Sequence, residues 1–591
     1  MAPKRLSEVK LAVISAVFAF FVLAPLAAQF RALWDTDSYM HAAIARHYRT
    51  QGIFEPAPWG RFSMTSWGGD KDLLYHVALI PFTVGDASTG ARVALAAMNA
   101  LLIGALTLVL ARRETWWALA LPWWLYATAA PFFARIVRLR PDVLSLILLL
   151  LLCEAAARRR FRLCGLLAAI YTLSYTPFHL MIGLAVVWCA VLRFGSGRWE
   201  PRLPAWMCGG VAAGLVLRPH PLESLRLWYA QNVTFYSLVG KLDLGQEVDA
   251  PRLLALLPLI VGWLVGMAAL WLATRKRATE GSEDAILDAR WEWVVFATTF
   301  GVFLVLYTRM SKMSVYAYPL ALATLLRWRA SQQRRIALWA APALVVSIAI
   351  AYPAMADPTL LGLLGLKGEV LTEVDLTRFG RALPADARVA ATWSDAEMFA
   401  FWAPQGRYLN IYDSTFMYVP YPRLWEAQAA LFAGNDPDVV GTMRGPLQSE
   451  YLAFDATGMA QSFIERTRHD PRLRLLYGGY NVLLAYEPSG ETAFVTDWNG
   501  ATRSAFVDDP GPSPCVRMQH IEERSEPARL EFAPWGTGTV SVNGVTQVEV
   551  NRPLKAILGR GTSFDLPAGR QVIDVTTCAD AGRNGFYLVR R

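Results

Sequence analysis

The stretch Trp34-Asp35-Thr36-Asp37-Ser38-Tyr39-Met40-His41 follows directly after the first long apolar segment of the chain, Val9 to Phe30. Carboxylates this close to a bilayer are costly unless they are hydrated, paired or bound to a cation. A divalent ion beside a lipid headgroup is one such arrangement, and it indicates chemistry on a phosphate. The alternative is that Asp35 or Asp37 caps the helix that begins near Ser38, a position that Asp favours.

The composition is typical of a polytopic membrane protein. Of the 591 residues, 54% are hydrophobic and 18% are charged, whereas soluble proteins carry about 25% charged residues. We read the first apolar segment as a retained span, since no cleavage site of the small-x-small type follows it. About eleven segments are long and apolar enough to be candidate spans, at 9–30, 91–111, 115–133, 141–157, 163–177, 178–192, 204–217, 253–273, 291–308, 314–327 and 336–354.

Arginine and lysine clusters fall in alternate loops, which predicts the topology. By the positive-inside rule the N-terminus is cytoplasmic and the chain from about 355 onward is outside. The Ala-, Leu- and Arg-rich composition favours a bacterial inner membrane with a periplasmic C-terminal domain. Topology also explains the net charge of +9, so we expect membrane lipids and no nucleic acid as partners. A third outer loop, about 218–252, contains an aromatic helix-like stretch from Leu225 to Leu238.

The chain divides into three predicted domains, namely a transmembrane domain at 1–355, a periplasmic α/β domain at 356–511 and a small β-sandwich at 512–591. Alternation of apolar runs and turns predicts the α/β domain, and short strands around Asn543-Gly544 predict the sandwich. Cys515 and Cys578 bracket the sandwich, and an oxidising compartment would allow them to pair. Two separate buried thiols are the alternative.

Membrane spans, an acidic first outer loop and an outer C-terminal domain resemble the GT-C glycosyltransferases, which use sugars on polyprenyl phosphate or pyrophosphate lipids. Asp37-Ser38-Tyr39-Met40-His41 is similar to the Asp-Pro-Tyr-Tyr-His-like motif of oligosaccharyltransferase catalytic subunits. Arg138-Leu139-Arg140-Pro141-Asp142 resembles the second-loop motif with its Asp-x-Glu metal ligands, except that Leu144 stands in the place of the second acid.

Two further stretches extend the resemblance. Trp393-Ser394-Asp395 is similar to the start of the Trp-Trp-Asp-Tyr-Gly motif that reads the acceptor sequon, although Ser394, Ala396 and Glu397 depart from it. Arg309-Met310-Ser311-Lys312, followed by Tyr316, Tyr318 and Pro319, resembles the helix start that contacts the lipid phosphate in several GT-C enzymes.

The resemblance implies a role for each group of residues. Asp35 and Asp37 would be catalytic, and a divalent metal, Mg²⁺ or Mn²⁺, would be held by Asp37, Asp142 and His41. The lipid phosphate would be bound by Arg138, Arg140, Arg309, Lys312 and Tyr316. The acceptor would be bound by Trp393, Asp395 and Glu247, with Asp249 beside the last.

Each role has a structural alternative. His41 could form a structural hydrogen bond, Asp142 a salt bridge to Arg138, and Arg138 with Arg140 helix-end or headgroup contacts. For Arg309 and Lys312 the alternative is interfacial anchoring. For Trp393 and Asp395 it is packing and a turn.

The predicted function is transfer of a sugar or oligosaccharide from the lipid-linked donor to a glycan, lipid or protein acceptor, with inversion if the mechanism follows the superfamily. A flippase for lipid-linked glycans is the alternative, but no inverted repeat with broken helices is apparent. A scaffold that displays the β-module would leave all spans but one unexplained.

Overall fold

The computed structural model divides the chain into two compact units. The N-terminal unit comprises residues 1–33, 44–57 and 67–368, and the C-terminal unit comprises 34–43, 58–66 and 369–591. Two segments between the first two predicted spans, 34–43 and 58–66, therefore belong to the C-terminal unit. The structure describes residues 7–29, 33, 35–111, 117–196, 199–239, 242, 251, 256, 259–260, 264, 283–328, 373–456, 459–470, 472–479, 481–486, 503–506, 515–534, 537–551, 562–578 and 585–590. The predicted domain boundaries at 355 and 511 lie outside these residues.

Helices build the N-terminal unit, because its sequence is dominated by long apolar runs broken at Pro, Gly and Arg. In chain order they are α1 (Glu8–Gln29), α2 (Thr36–Gln51), α3 (Leu73–Leu79), α4 (Ala87–Ala111), α5 (Trp117–Thr128), α6 (Ala130–Ile136), α7 (Pro141–Ala157), α8 (Phe161–Ser174), α9 (His179–Ser196), α10 (Arg202–Val216), α11 (Pro221–Tyr229), α12 (Phe235–Leu238), α13 (Glu283–Tyr307) and α14 (Ser314–Trp328). Helix α2 begins among the residues of the C-terminal unit and ends among those of the N-terminal unit.

Small residues allow these helices to pack closely. A side chain at Gly210 on α10 would collide with the carbonyl of Gly165 on α8, and one at Gly104 on α4 would meet Ala16 on α1. Helices α1 and α4 also share a buried hydrogen bond between hydroxyl groups, from Thr107 to Ser15 at 2.9 Å. Close backbone contact between small residues is how helices associate where the surrounding solvent is itself apolar.

Two described helices are long and apolar enough to cross a membrane, Glu8–Ala27 and Ala87–Ala111. Shorter apolar helices lie at Leu73–Thr83, Phe161–Ser174, His179–Arg193 and Val294–Tyr307. Most predicted spans coincide with helices, but the span predicted at 115–133 consists of two helices separated at Ala129, where Pro131 follows. The span at 336–354 and most of the span at 253–273 lie outside the described residues.

The first part of the C-terminal unit is an α/β structure, as the sequence predicts. Its mixed sheet has the order β1-β2-β4-β3, with β1 (Val389–Ala390) parallel to β2 (Tyr451–Asp455) and β3 (Leu473–Gly478) antiparallel to β4 (Asn481–Tyr486). The accompanying helices are α15 (Glu373–Ala382), α16 (Trp393–Trp402), α17 (Thr415–Tyr418), α18 (Pro422–Phe432), α19 (Val439–Arg444) and α20 (Gln461–His469).

The second part consists of two four-stranded sheets, ordered β10-β7-β12-β5 and β6-β11-β8-β9. The strands are β5 (Arg503–Phe506), β6 (Cys515–Arg524), β7 (Ala528–Pro534), β8 (Thr537–Val542), β9 (Val545–Val550), β10 (Thr562–Leu566), β11 (Gly569–Cys578) and β12 (Gly585–Arg590). Residues of both sheets, among them Phe532 and Val540, share one apolar core. Asn543 and Gly544 have φ of 53° and 81°, which is the tight hairpin turn that the sequence predicts.

Strands β6 and β11 pair in antiparallel register so that Cys515 lies directly opposite Cys578. Directly opposed residues have Cα atoms about 4.5–5.5 Å apart, a separation that a disulfide spans. Cys153, Cys164, Cys189 and Cys208 are free thiols, and pairing of Cys515 with Cys578 stays a prediction.

Residues 58–66 join the C-terminal unit by pairing with the segment that precedes α17. The amide of Tyr408 donates to the carbonyl of Trp59 at 2.7 Å, and the amides of Arg61 and Phe62 donate to the carbonyls of Tyr408 and Leu409, each at 2.8 Å. Residues 58–66 thus add an extended segment to a domain that lies more than 300 residues later in the chain.

The Arg61 side chain holds this segment in place. Its guanidinium donates to the carbonyls of Arg407 (3.2 Å), Gln448 (3.0 Å) and Leu447 (3.1 Å) and to the hydroxyl of Ser449 (2.6 Å). Burial lowers the pKa of Arg61 to about 10, so the side chain stays charged at neutral pH. One cation therefore satisfies carbonyl groups from two separate loops.

We expect Arg61→Ala to destabilise the C-terminal unit, because it leaves several carbonyl groups without their donor. Loss of these hydrogen bonds costs about 2–3 kcal/mol, which lowers the melting temperature of a domain of this size by about 5–10 °C. Proteolytic cleavage of the C-terminal unit, recorded as the purified chain is heated, measures the melting temperature. The exposed Arg423→Ala on α18 is the matched control and should melt like wild type. An unchanged melting temperature for Arg61→Ala would show that the guanidinium does not hold the segment.

Candidate functional site

The acidic motif forms the start of helix α2. The Ser38 amide donates to the Asp35 carboxylate at 3.2 Å, and the Ser38 hydroxyl also donates to it. Since α2 begins at Thr36, Asp35 holds the N-cap position, which agrees with the structural alternative for this residue. Asp37 lies in the first turn and is half-buried. The catalytic roles of both residues stay predictions, and Trp34 lies outside the described residues.

Contacts within the C-terminal unit fix the start of α2. The Thr36 hydroxyl donates to the buried Glu397 carboxylate on α16 at 2.6 Å. The Tyr39 ring lies 5.3 Å from the ring of Phe401 and 6.0 Å from that of Trp402. The position of the Asp37 backbone therefore depends on helix α16 and on the domain that supports it.

The predicted acceptor motif lies on this same helix. Thr392 caps α16 by accepting from the Asp395 amide at 3.1 Å, and the Asp395 carboxylate accepts from the Asp455 amide at 3.3 Å. Asp395 is buried and Trp393 is partly buried. These contacts are structural, and recognition of an acceptor by Trp393 and Asp395 stays a prediction. Glu247 and Asp249 lie outside the described residues.

In the N-terminal unit, Asp142 is held by two donors. Arg135 forms a salt bridge with one carboxylate oxygen, and the Tyr175 hydroxyl donates to the other at 2.8 Å. The sequence suggested Arg138 as the ion-pair partner. The ion pair seen among the described contacts is with Arg135, on the last turn of α6, and a contact of Asp142 with Arg138 stays a prediction.

Tyr316 belongs to the same network. Its hydroxyl lies 2.5 Å from the Ser145 hydroxyl, which donates to the Asp142 carbonyl at 2.8 Å. The Ser314 hydroxyl at the start of α14 donates to the Pro131 carbonyl at 3.0 Å. The structure therefore brings together Asp142 and Tyr316, two residues predicted from separate outer loops. Because Tyr316 is buried, its contact with a lipid phosphate stays a prediction.

The remaining basic candidates differ in exposure. Arg309 is exposed, and the Lys312 ammonium lies 5.6 Å from the centre of the Phe235 ring. Arg138 and Arg140 are partly buried in the turn before α7. Arg309 is thus the most accessible of the predicted phosphate ligands.

A metal site is not formed in the part of the chain that the structure describes, where no group of three or more His, Cys, Asp and Glu residues is arranged to hold an ion. Each carboxylate oxygen of Asp142 has a partner among the described residues, Arg135 for one and Tyr175 for the other. His41 is buried on α2. Metal binding by Asp37, His41 and Asp142 stays a prediction.

A second acidic pair, Asp70 and Asp72, was missed among the candidate residues. The Asp70 carboxylate accepts from the Tyr48 hydroxyl at 2.6 Å and contacts Nδ1 of His76 at 2.7 Å. These contacts, led by the charge of His76, outweigh burial and lower the pKa of Asp70 to about 2. Arg218 donates to the Asp70 carbonyl. The sequence signal was the spacing Asp-x-Asp, the same as in the first motif.

Asp72 has the opposite environment. It is 1% exposed, neither of its carboxylate oxygens has a hydrogen-bond partner among the described residues, and the Lys71 ammonium is 3.9 Å away. Burial raises the pKa of Asp72 from its ordinary 3.8 to about 6. At neutral pH the N-terminal unit therefore carries a carboxylate that is costly to ionise.

We predict a pH-dependent effect of Asp72→Asn on stability. Because the pKa in the folded state lies above the ordinary value, ionisation of Asp72 destabilises the fold above about pH 6, and this cost disappears as the pH falls toward 4. The melting temperature of the variant relative to wild type should therefore be higher at pH 8 than at pH 5. The exposed Asp86→Asn, which keeps its cap to Thr89, should show no such trend. A variant that is equally destabilised at both pH values would contradict the prediction.

Comparison with known proteins bears on the fold. No protein-family model matches the chain, and no curated protein sequence matches it. The Archaeoglobus fulgidus oligosaccharyltransferase in its apo form aligns with a TM-score of 0.52 at 10% identity, covering 99% of this chain and 94% of that one. ArnT from Cupriavidus metallidurans in the apo state aligns with a TM-score of 0.48 at 14% identity, covering 81% and 98%. The first of these alignments shows that the chain shares the fold of the oligosaccharyltransferase.

Proposed function

We propose that the chain is an integral membrane glycosyltransferase. It moves a sugar or oligosaccharide from a polyprenyl phosphate or pyrophosphate donor to a glycan, lipid or protein acceptor on the outer face of the membrane. The observation that carries the proposal is the fold, which matches an oligosaccharyltransferase over nearly the whole chain. The acidic motif supports it, because Asp37 lies in the first turn of a helix whose start is fixed by packing.

The chain would cross the bacterial inner membrane several times, with its C-terminal unit in the periplasm. Two described helices are suited to crossing a bilayer, and the low content of charged residues, 18%, supports further spans. The distribution of Lys and Arg among the loops supports the orientation.

The transfer would be a single displacement. A bond forms between the acceptor atom and the anomeric carbon of the sugar while the bond from that carbon to the phosphate oxygen breaks. Asp37 would accept the proton of the acceptor. The phosphate that leaves carries negative charge, which Arg309 and Lys312 would neutralise through charge-assisted hydrogen bonds. A single displacement inverts the anomeric configuration.

Asp37→Asn tests the catalytic carboxylate. We expect the release of polyprenyl phosphate from a polyprenyl-linked sugar to fall at least about 100-fold, the scale of a lost general base, while the melting temperature stays near that of wild type. Thin-layer chromatography of the lipid products measures the release. The same assay with EDTA tests whether Mg²⁺ or Mn²⁺ takes part. Asp86→Asn, the same change at the start of another helix, should keep wild-type activity.

Two outcomes would count against the proposal. Full activity in Asp37→Asn would remove the role of this carboxylate. Movement of the lipid-linked sugar across vesicle membranes, without transfer in wild type or variant, would replace the enzyme by a flippase.

We also propose a disulfide between Cys515 and Cys578. The register of β6 and β11 supports this pairing, and it would close the second part of the C-terminal unit between its first long strand and its penultimate one. An oxidising periplasm would allow it to form.

Thiol counting under denaturing conditions tests the disulfide. Four of the six cysteines should react with maleimide before reduction, and all six after it, because Cys153, Cys164, Cys189 and Cys208 are free. The double variant Cys515→Ser, Cys578→Ser should show four in both cases. Six reactive thiols in oxidised wild-type protein would disprove the pairing.

A further inference from the structure

Residues 221–239 of the N-terminal unit form a helical segment with two apolar faces. The segment comprises α11, a turn of π-helix at Ala230–Thr234, and α12. One face is buried in the unit and includes Leu227, Phe235 and Leu238. A side chain at Gly69 would collide with Leu227, which shows how closely the segment packs on the first outer loop.

The opposite face is exposed and also apolar. Leu222 is 71% exposed, Tyr229 57% and Val233 43%. Their spacing, together with Leu225 and Tyr236, follows the helical repeat, so these side chains form one stripe. Among the exposed positions of this segment only Arg226 and Ser237 are polar. A helix face in contact with water would be mostly polar, because soluble proteins rarely expose an apolar stripe of this length to water.

The neighbouring residues indicate what covers the stripe. Helix α10 ends at Val216, five residues before the segment begins, and Val216 and Leu217 are more than two-thirds exposed. Exposed apolar side chains thus occur both at the end of an apolar helix and along the stripe. Tyrosine, which occurs here twice, is enriched where hydrocarbon meets water.

The charges near the segment fit the same surroundings. Lys312 lies against the Phe235 ring at one end, and the Tyr236 hydroxyl donates to the Met310 sulfur at 3.8 Å. Arg226 is exposed on the side of the helix and pairs with Glu223. Cations beside an apolar stripe match the phosphates of lipid headgroups above the acyl chains.

We propose that residues 221–239 lie in the interface of the lipid bilayer, with the stripe of Leu222, Leu225, Tyr229, Val233 and Tyr236 inserted among the lipids. The segment lies along the surface rather than across it, with its buried face on the unit and its stripe toward the lipids. Through Phe235 and Tyr236 it sets the depth of the loop at 309–312. The proposal stands whether or not the chain transfers sugars.

Spin labels measure the surroundings of each side chain. The exposed Cys208 is first replaced by Ser, and Leu222→Cys, Tyr229→Cys, Val233→Cys and Arg226→Cys are then made one at a time in the full chain. Each labelled protein is placed in vesicles of phosphatidylethanolamine and phosphatidylglycerol. Electron paramagnetic resonance compares collisions with oxygen, which dissolves in lipid, and with a water-soluble nickel chelate. The Cys208→Ser protein without an introduced cysteine is treated in the same way, and its signal is subtracted to correct for labelling of the remaining native cysteines.

Labels at Leu222, Tyr229 and Val233 should collide several-fold more with oxygen than with the nickel chelate, and the label at Arg226 should show the lower ratio of a position at the headgroups. Labels in the stripe that collide mainly with nickel would overturn the proposal. Labels shielded from both reagents would also overturn it, because a second copy of the chain or another protein would then cover the stripe. Three independent positions protect the test against one variant that fails to fold.

Discussion

The fold of the acidic motif depends on one constraint, which is that residues 34–43 and 58–66 are built into the C-terminal unit. The hydrogen bond from Thr36 to the buried Glu397 fixes the start of α2, and Arg61 binds residues 58–66 to carbonyl groups of the distant chain. Neither piece has an apolar core of its own. The motif that first indicated phosphate chemistry therefore takes its geometry from a domain that the chain reaches only after residue 368.

The carboxylates of the N-terminal unit show how such a protein accommodates charge. Asp142 is paired with Arg135 and Tyr175, and Asp70 is bound by Tyr48 and His76, which lowers its pKa to about 2. The carboxylate of Asp72, two residues away, has no hydrogen-bond partner in the described structure, and burial raises its pKa to about 6. Burial alone raises the pKa of a carboxyl group, and only specific donors reverse the shift. The partners of each acid therefore decide whether it is ionised.

Local patterns in the sequence predicted much of the fold. The turn at Asn543-Gly544 is in place, and most predicted spans coincide with helices, because turn residues and runs of apolar residues act over a few positions. Contacts between distant segments were not predictable: nothing near Thr36 points to Glu397, and nothing near Asp142 points to Tyr175. For the same reason Asp70 and Asp72 were overlooked, since their burial arises from packing against Arg218 and α3. The roles of the candidate residues on a substrate stay predictions.

The proposed action on polyprenyl-linked sugars requires recognition of the lipid phosphate. Native mass spectrometry of the purified chain, with polyprenyl phosphate and phosphatidylglycerol in competition, tests that recognition directly. We expect polyprenyl phosphate to be retained preferentially and the double variant Arg309→Ala, Lys312→Ala to lose the preference, because the exposed guanidinium and the ammonium beside Phe235 would bind the phosphate. Equal retention of the two lipids by the wild-type chain would contradict it.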